Sequence, residues 1–190
     1  MRTVALGLTL MLAAAGCAVG AEESASGLDL RVDLSALAIP DAVTQALDPD
    51  ALAVSAFLVR DNRLVSVARE LEDPSSSALL DSVVDYAIAG PTAAEARSGI
   101  WSAIPPQTML LGTRLQAGVA EINLSSDFAA IGGTDEVLAV AQIVLTVTAL
   151  ADTDSVVFLL DGTPTSVPGA GGVLVSGPLE EDEYRELLSK

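Results

Sequence analysis

Residues 89–106 read AGPTAAEARSGIWSAIPP, and their punctuation decides how the chain on either side folds. Gly90 can take the left-handed conformation that closes a helix, and Pro91 lacks the amide hydrogen needed to continue one. Thr92-Ala93-Ala94-Glu95 is a capping box, in which the threonine hydroxyl and the glutamate carboxylate each accept the other residue's orphaned backbone N–H. A second, short helix is therefore expected to run to about Arg97. Trp101, the only tryptophan, follows in a loop over 98–106 stiffened by Pro105 and Pro106. Its ring either plugs the core beneath the helices, the plainer reading, or anchors a partner.

Upstream of this stretch, Leu79, Leu80, Val83, Val84 and Ala87 recur at helical spacing behind three serines able to cap the helix, while Asp81 and Asp85 share the opposite, wet face. Two apolar segments, Leu52 to Val59 and Leu64 to Leu71, flank the turn-forming Arg60-Asp61-Asn62-Arg63 and predict a hairpin. Downstream, residues 107–126 predict a second hairpin bending near Ala117 and Gly118, with Ala120, Ile122 and Leu124 inward and Glu121, Asn123 and Ser125 outward. From Val137 to Leu150 only Gln142, Thr146 and Thr148 are polar, which predicts a helix buried on nearly every side. Gln142 is expected to hydrogen-bond a neighbouring backbone group. Val156 to Leu160 reads as a strand in mid-sheet, stopped by Asp161-Gly162. A Gly/Pro-rich loop follows, and the acidic run Glu180 to Glu183, leading into Tyr184, Leu187 and Leu188 with Lys190 last, predicts one terminal helix.

The start of the chain is of another kind. Arg2 precedes an apolar run from Val4 to Leu12, which ends in Ala13-Ala14-Ala15-Gly16-Cys17. This is the anatomy of an export signal, and the run falls short of the ~20 apolar residues that a membrane span needs. Small residues directly before the only cysteine resemble a bacterial lipoprotein signal, in which that cysteine becomes residue one and carries the lipid. Ala14 departs from that pattern, which prefers leucine there, and an ordinary secretory signal is the rival reading. The chain then divides into a signal over 1–16, a flexible tether over 17–27, an N-terminal extension over 28–50, a folded domain over 51–163, and a Gly/Pro-rich loop with a terminal helix over 164–190.

Composition narrows the chemistry. Of 190 residues, 9 are Lys or Arg and 26 are Asp or Glu, so the formal charge is −17, a sign that repels nucleic-acid backbones. Histidine is absent and cysteine occurs once, which removes the commonest general base, the commonest zinc ligand and any intrachain disulfide. The pairs Asp48/Asp50 and Asp152/Asp154 fall in loops, and Asp152/Asp154 lacks the glycine and distal glutamate of a calcium loop. No catalytic residue, metal site or cofactor is expected.

The stretch from Phe57 to Gly162 resembles the GerMN domain, named for a spore-germination protein and found in many exported bacterial lipoproteins. The match rests first on Gly90, Pro91, Thr92 and Glu95, then Gly99, then Ser102, Ile104 and Pro105 beside Trp101. Farther on, Gly118-Val119, Ile122, Leu124-Ser125 and Phe128 are similar to a family strand, and Ala141-Gln142 with Thr146 and Thr148 to a family helix. Asn123 stands where that family usually has Asp. The resemblance implies a two-layer α+β fold, a small mixed or antiparallel sheet packed with two main helices, related to ring-building folds of envelope assemblies. It implies protein contacts at the cell envelope, with a link to sporulation or germination or to envelope assembly, and it does not imply catalysis.

These readings converge on an exported protein held at the outer face of the cell membrane through Cys17. It would act as a non-catalytic interaction module for envelope proteins, through a sheet edge or the 98–106 loop, with self-association open. The rival readings are a small-ligand or divalent-cation binder using the acidic loops, and a carboxylate-dependent cell-wall hydrolase.

Overall fold

Two apolar strands joined by a tight turn come first among the described residues. In this computed structural model, which describes residues 52–71 and 78–189, Leu52–Arg60 (β1) and Arg63–Leu71 (β2) pair antiparallel. Asp61 and Asn62 close them with φ of 50° and 57°, the pair of positive values that matches the twist of a two-residue hairpin. The leader, Cys17, the tether and the 28–50 extension lie outside the described residues, as do the capping serines and Asp48/Asp50.

Helix α1, Leu79–Ala89, buries the periodic set Leu80, Val83, Val84 and Ala87. Ala78 occupies its cap position and makes no side-chain cap bond. Asp81 is not on a purely wet face as its spacing suggested. The helix packs along the next sheet, and Thr113 Oγ1 donates to Asp81 Oδ1 at 2.6 Å. Asp85 stays exposed, with its carboxyl raised by partial burial and by the charge of Asp81. The predicted short helix is α2, Ala93–Arg97.

The main sheet is mixed. Leu110–Gln116 (β3) and Val119–Leu124 (β4) form the second hairpin, and β4 runs parallel to Ser155–Leu160 (β5). Parallel neighbours require a crossover. It is supplied by α3, Thr134–Thr148, whose residues from Val137 to Val147 are all buried. The β-branched content of this segment loses to its burial, since the helix carries its backbone bonds within itself while every side is covered. Ala120, Ile122 and Leu124 of β4 and Val156 and Phe158 of β5 share the core cluster with α3, and Phe128 stacks on Phe158 with ring centroids 6.0 Å apart. This is the two-layer α+β arrangement that the resemblance implied.

Three details refine it. The β1–β2 hairpin stays a sheet of its own. The Gly/Pro-rich loop carries short pairings: Thr163–Pro164 (β6) and Leu179–Glu180 (β9) on β5, and Val167–Pro168 (β7) with Leu174–Val175 (β8). The terminal helix is one turn only, α4 over Glu181–Tyr184, followed by a 3-10 turn over Arg185–Leu187. Tyr184 fixes that turn to the domain. Its ring is fully buried and its hydroxyl donates to Pro168 O at 2.9 Å, with burial pushing the phenol well above its ordinary pKa. The chain then straightens, and Ser189 N donates to Leu64 O at 2.9 Å.

The β3–β4 turn depends on Gly118, whose φ is +78° and whose carbonyl accepts from Asp154 N at 2.7 Å and Ser155 N at 3.2 Å. A Cβ here would overlap Asp154 Oδ2 and lie 3.0 Å from its Cγ. Gly118→Ala is expected to destabilise the domain by about 2–3 kcal/mol, from backbone strain and the displaced carboxylate together. Urea unfolding should show the loss, and adding Asp154→Ala should restore about a third to a half of it by removing the overlap.

Candidate functional site

The stretch 89–106 is built from the helix-ending glycine outward. Gly90 has φ 72° and ψ −153°, a region that only glycine occupies without strain and not the left-handed helical cap anticipated. It also packs closely, since a Cβ at this position would sit 3.3 Å from Ser102 Cβ. Pro91 is half-buried after it, and Thr92 opens α2 with the capping box complete: Glu95 N donates to Thr92 Oγ1 at 3.3 Å and Thr92 N to Glu95 Oε2 at 2.8 Å.

Glu95 has a second task. Arg69, on β2, grips both of its carboxylate oxygens at 2.8 Å and reaches Gly90 O at 3.3 Å. This two-pronged bond, helped by the Thr92 amide, holds the Glu95 carboxyl at about 2, well below the usual carboxylate range. The signature glutamate therefore ties the start of α2 to the hairpin. Nothing in its local spacing revealed Arg69 as its partner, 26 positions away.

Past α2, Ser98 N donates to Glu95 O at 2.9 Å and Gly99, with φ +80°, turns the chain back. Trp101 then pairs with β1 as an isolated bridge, with Val59 N to Trp101 O and Trp101 N to Val59 O both at 2.9 Å. Its ring is half-buried against the main core, which agrees with the plug more than with a free anchor. Ser102 Oγ accepts from Ile104 N at 3.2 Å, and Ile104 and Pro105 are buried.

The centre of this arrangement is Gln142 on α3, which has 0% exposure. Its Oε1 accepts from Ala103 N at 2.7 Å, and its Nε2 donates to Phe57 O and to Ser102 Oγ, each at 3.2 Å. One helical turn on, Thr146 Oγ1 accepts from Phe57 N at 2.9 Å. Two side chains of one helix thus satisfy both backbone groups of Phe57, as a neighbouring strand would. Gln142 bonds backbone as its burial required, and it also joins β1, the signature loop and α3 at one point.

The polar groups of Thr92, Glu95 and Ser102 are all used inside the fold, and Gly90, Pro91, Gly99, Ile104 and Pro105 shape the backbone. Asn123 Oδ1 accepts from Gly162 N at 2.8 Å, a task needing only an acceptor, so Asn in place of Asp keeps it. Among the described residues no three acids gather into a metal-binding group. Asp154 lies against the Gly118 turn, and Glu180 to Glu183 open α4, where Glu183 Oε1 accepts from Glu180 N at 3.3 Å. No described helix is long and apolar enough to cross a membrane. Cys17 is outside the described residues.

Fold and signature loop together define an α+β domain whose distinctive residues hold a helix, a hairpin and a loop to one buried glutamine. A family model described as "Germane: Sporulation and spore germination" matches residues 45–166, and the chain belongs to that family. Among solved structures it is similar to the tandem GerMN domains of the sporulation protein GerM from Bacillus subtilis, at 15% identity and a TM-score of 0.56. That likeness covers 70% of this chain and 46% of the tandem, so the chain spans less than half the length of that relative. The first GerMN domain of the same protein matches at 21% identity and a TM-score of 0.54, over 69% of this chain and 98% of that one. A candidate lipoprotein from Clostridium perfringens matches at 20% identity and a TM-score of 0.50, over 73% of this chain and 92% of that one. Comparison with curated proteins yields no match.

Proposed function

We propose that this chain is an exported lipoprotein, anchored through Cys17 on the outer face of the cell membrane, whose GerMN domain is a non-catalytic docking module for envelope proteins. The observation that carries the docking role is where the signature's polar atoms go. Thr92, Glu95, Ser102 and Gln142 spend theirs on one another, on Arg69 and on backbone, which suits a rigid body better than a reacting centre. The leader supports the anchoring. Each buried lipid methylene adds ~0.8 kcal/mol, so two or more acyl chains on Cys17 would hold the protein durably, while a formal charge of −18 after Arg2 leaves with the leader keeps the body off an anionic surface. The family, by its description, supports a part in sporulation or germination.

Two measurements test this reading. Cells fed labelled palmitate should incorporate it into the wild-type chain, and Cys17→Ala should abolish the label and release the protein from the membrane fraction. Label retained in that variant would remove the anchor. Crosslinking in living cells should join the anchored chain to an envelope protein, and a chain that stays uncrosslinked across growth and sporulation would remove the docking role.

A further inference from the structure

In a two-residue hairpin the pair flanking the turn is hydrogen-bonded, so alternate residues aim their backbone N–H and C=O away from the partner strand. On β1, Arg60 opposes Arg63, which leaves Val59, Phe57, Ser55 and Ala53 facing outward. Val59 is met by Trp101, and Phe57 by Gln142 and Thr146. Ser55 and Ala53 continue the row, and among the described residues no strand pairs with them. On β3, Gln116 opposes Val119 across the other two-residue turn, so Leu115 and Thr113 face outward. β3 ends the order of its sheet, so this edge is unpaired too among the described residues.

Both open edges line the same cleft, of about 630 Å³, floored by apolar side chains that include Leu80 and Leu150. That volume lies within the range of about 300–1,000 Å³ usual for binding clefts. Leu52 and Leu115 on its walls are 40% and 43% exposed, large for apolar side chains. Its rim carries one charge of each sign. Asp152 is exposed there, and Arg114, the one cation lining it, already pairs with Glu121 at 2.9 Å.

We infer that this cleft takes an extended segment of a partner protein, apolar at alternate positions and carrying Lys or Arg toward Asp152, as a strand hydrogen-bonded to β1 through Ala53 and Ser55 and to β3 through Thr113 and Leu115. Two unpaired edges recognise an extended backbone, which has donors and acceptors on both sides, better than a helix, whose backbone groups are used internally. The inserted strand joins the hairpin sheet to the main sheet, which covers two exposed edges at once. The inference rests on the docking role proposed above and names the chemistry of what is docked.

The test uses the full chain and a capped heptapeptide alternating valine with lysine. Titration followed by amide NMR should shift Ala53, Ser55, Thr113 and Leu115 and slow their hydrogen exchange at least tenfold. N-methylation of either alternate set of peptide residues should remove binding, and Asp152→Arg should weaken it at least tenfold. Silence of those four amides at millimolar peptide, or equal binding of the N-methylated peptides, overturns the inference. It is overturned as well if these amides are already protected in the free chain, whether at all concentrations or only on self-association, because the edge then has another occupant. A partner crosslinked in cells while the cleft stays silent removes this inference and leaves the docking role standing.

Discussion

Gln142→Leu is expected to lower the stability of the domain by about 3–5 kcal/mol, a large share of the ~5–15 kcal/mol that holds a typical domain together. Leucine nearly conserves the volume, so the loss is one of hydrogen bonding. Ala103 N and Phe57 O are both left without the partner that now meets them at 2.7 and 3.2 Å, in a place where water has no access to the glutamine they lose. Each orphaned buried group costs about 1–3 kcal/mol, and the loop loses its Ser102 contact besides. Urea denaturation should show a lower midpoint with an unchanged slope. Thr146→Val removes a single bond, to Phe57 N, and should cost only about 1–2 kcal/mol. The double variant should lose less than the sum, since both side chains position the same residue of β1. A loss below 1 kcal/mol for Gln142→Leu would mean that the loop and the hairpin do not depend on this residue.

The same residue shows what a sequence can and cannot disclose. Burial and the need to satisfy its amide were readable from an apolar run broken by Gln142, because a buried polar group must find a partner. Which partners it finds was not, because they lie 39, 40 and 85 positions away and are backbone groups or a serine with no pattern of their own. Local rules succeeded where the determinants are local. Thr92 and Glu95 satisfy each other across three residues, and Asp61-Asn62 and Ala117-Gly118 turn their hairpins by backbone conformation alone. They failed where a distant contact competes. Asp81 looked solvated because helical periodicity knows nothing of Thr113, and the acidic-first terminal pattern gave no sign that Tyr184 would be buried and bonded to Pro168. The cleft between β1 and β3 was invisible for a related reason, since its two edges belong to separate sheets and meet only through tertiary packing.

Arg69→Met should cost about 2 kcal/mol at neutral pH, and the cost should depend on acidity in a way that identifies its origin. Arg69 and Glu95 retain 11% and 21% of their side-chain exposure, so the pair is shielded from water and salt without being sealed from them. Folding lowers the Glu95 carboxyl from 4.5 to about 2. A depressed carboxylate binds protons more weakly in the folded chain, so its contribution is complete above pH 4.5 and disappears as pH falls through about 2. The full shift would correspond to more than the 2 kcal/mol stated here, which is discounted for the remaining solvent screening. Wild type should therefore lose stability steeply between those pH values. The variant, its Glu95 freed of the guanidinium, should be flatter there, and the two curves should converge at the acid end. Glu95→Gln, which keeps an acceptor for Thr92 N but no charge, should likewise remove most of the slope. Denaturant midpoints measured from pH 7 to pH 2 decide the matter. Parallel curves for wild type and Arg69→Met would show that the arginine acts through its aliphatic stem, and the electrostatic account of this signature glutamate would then be wrong.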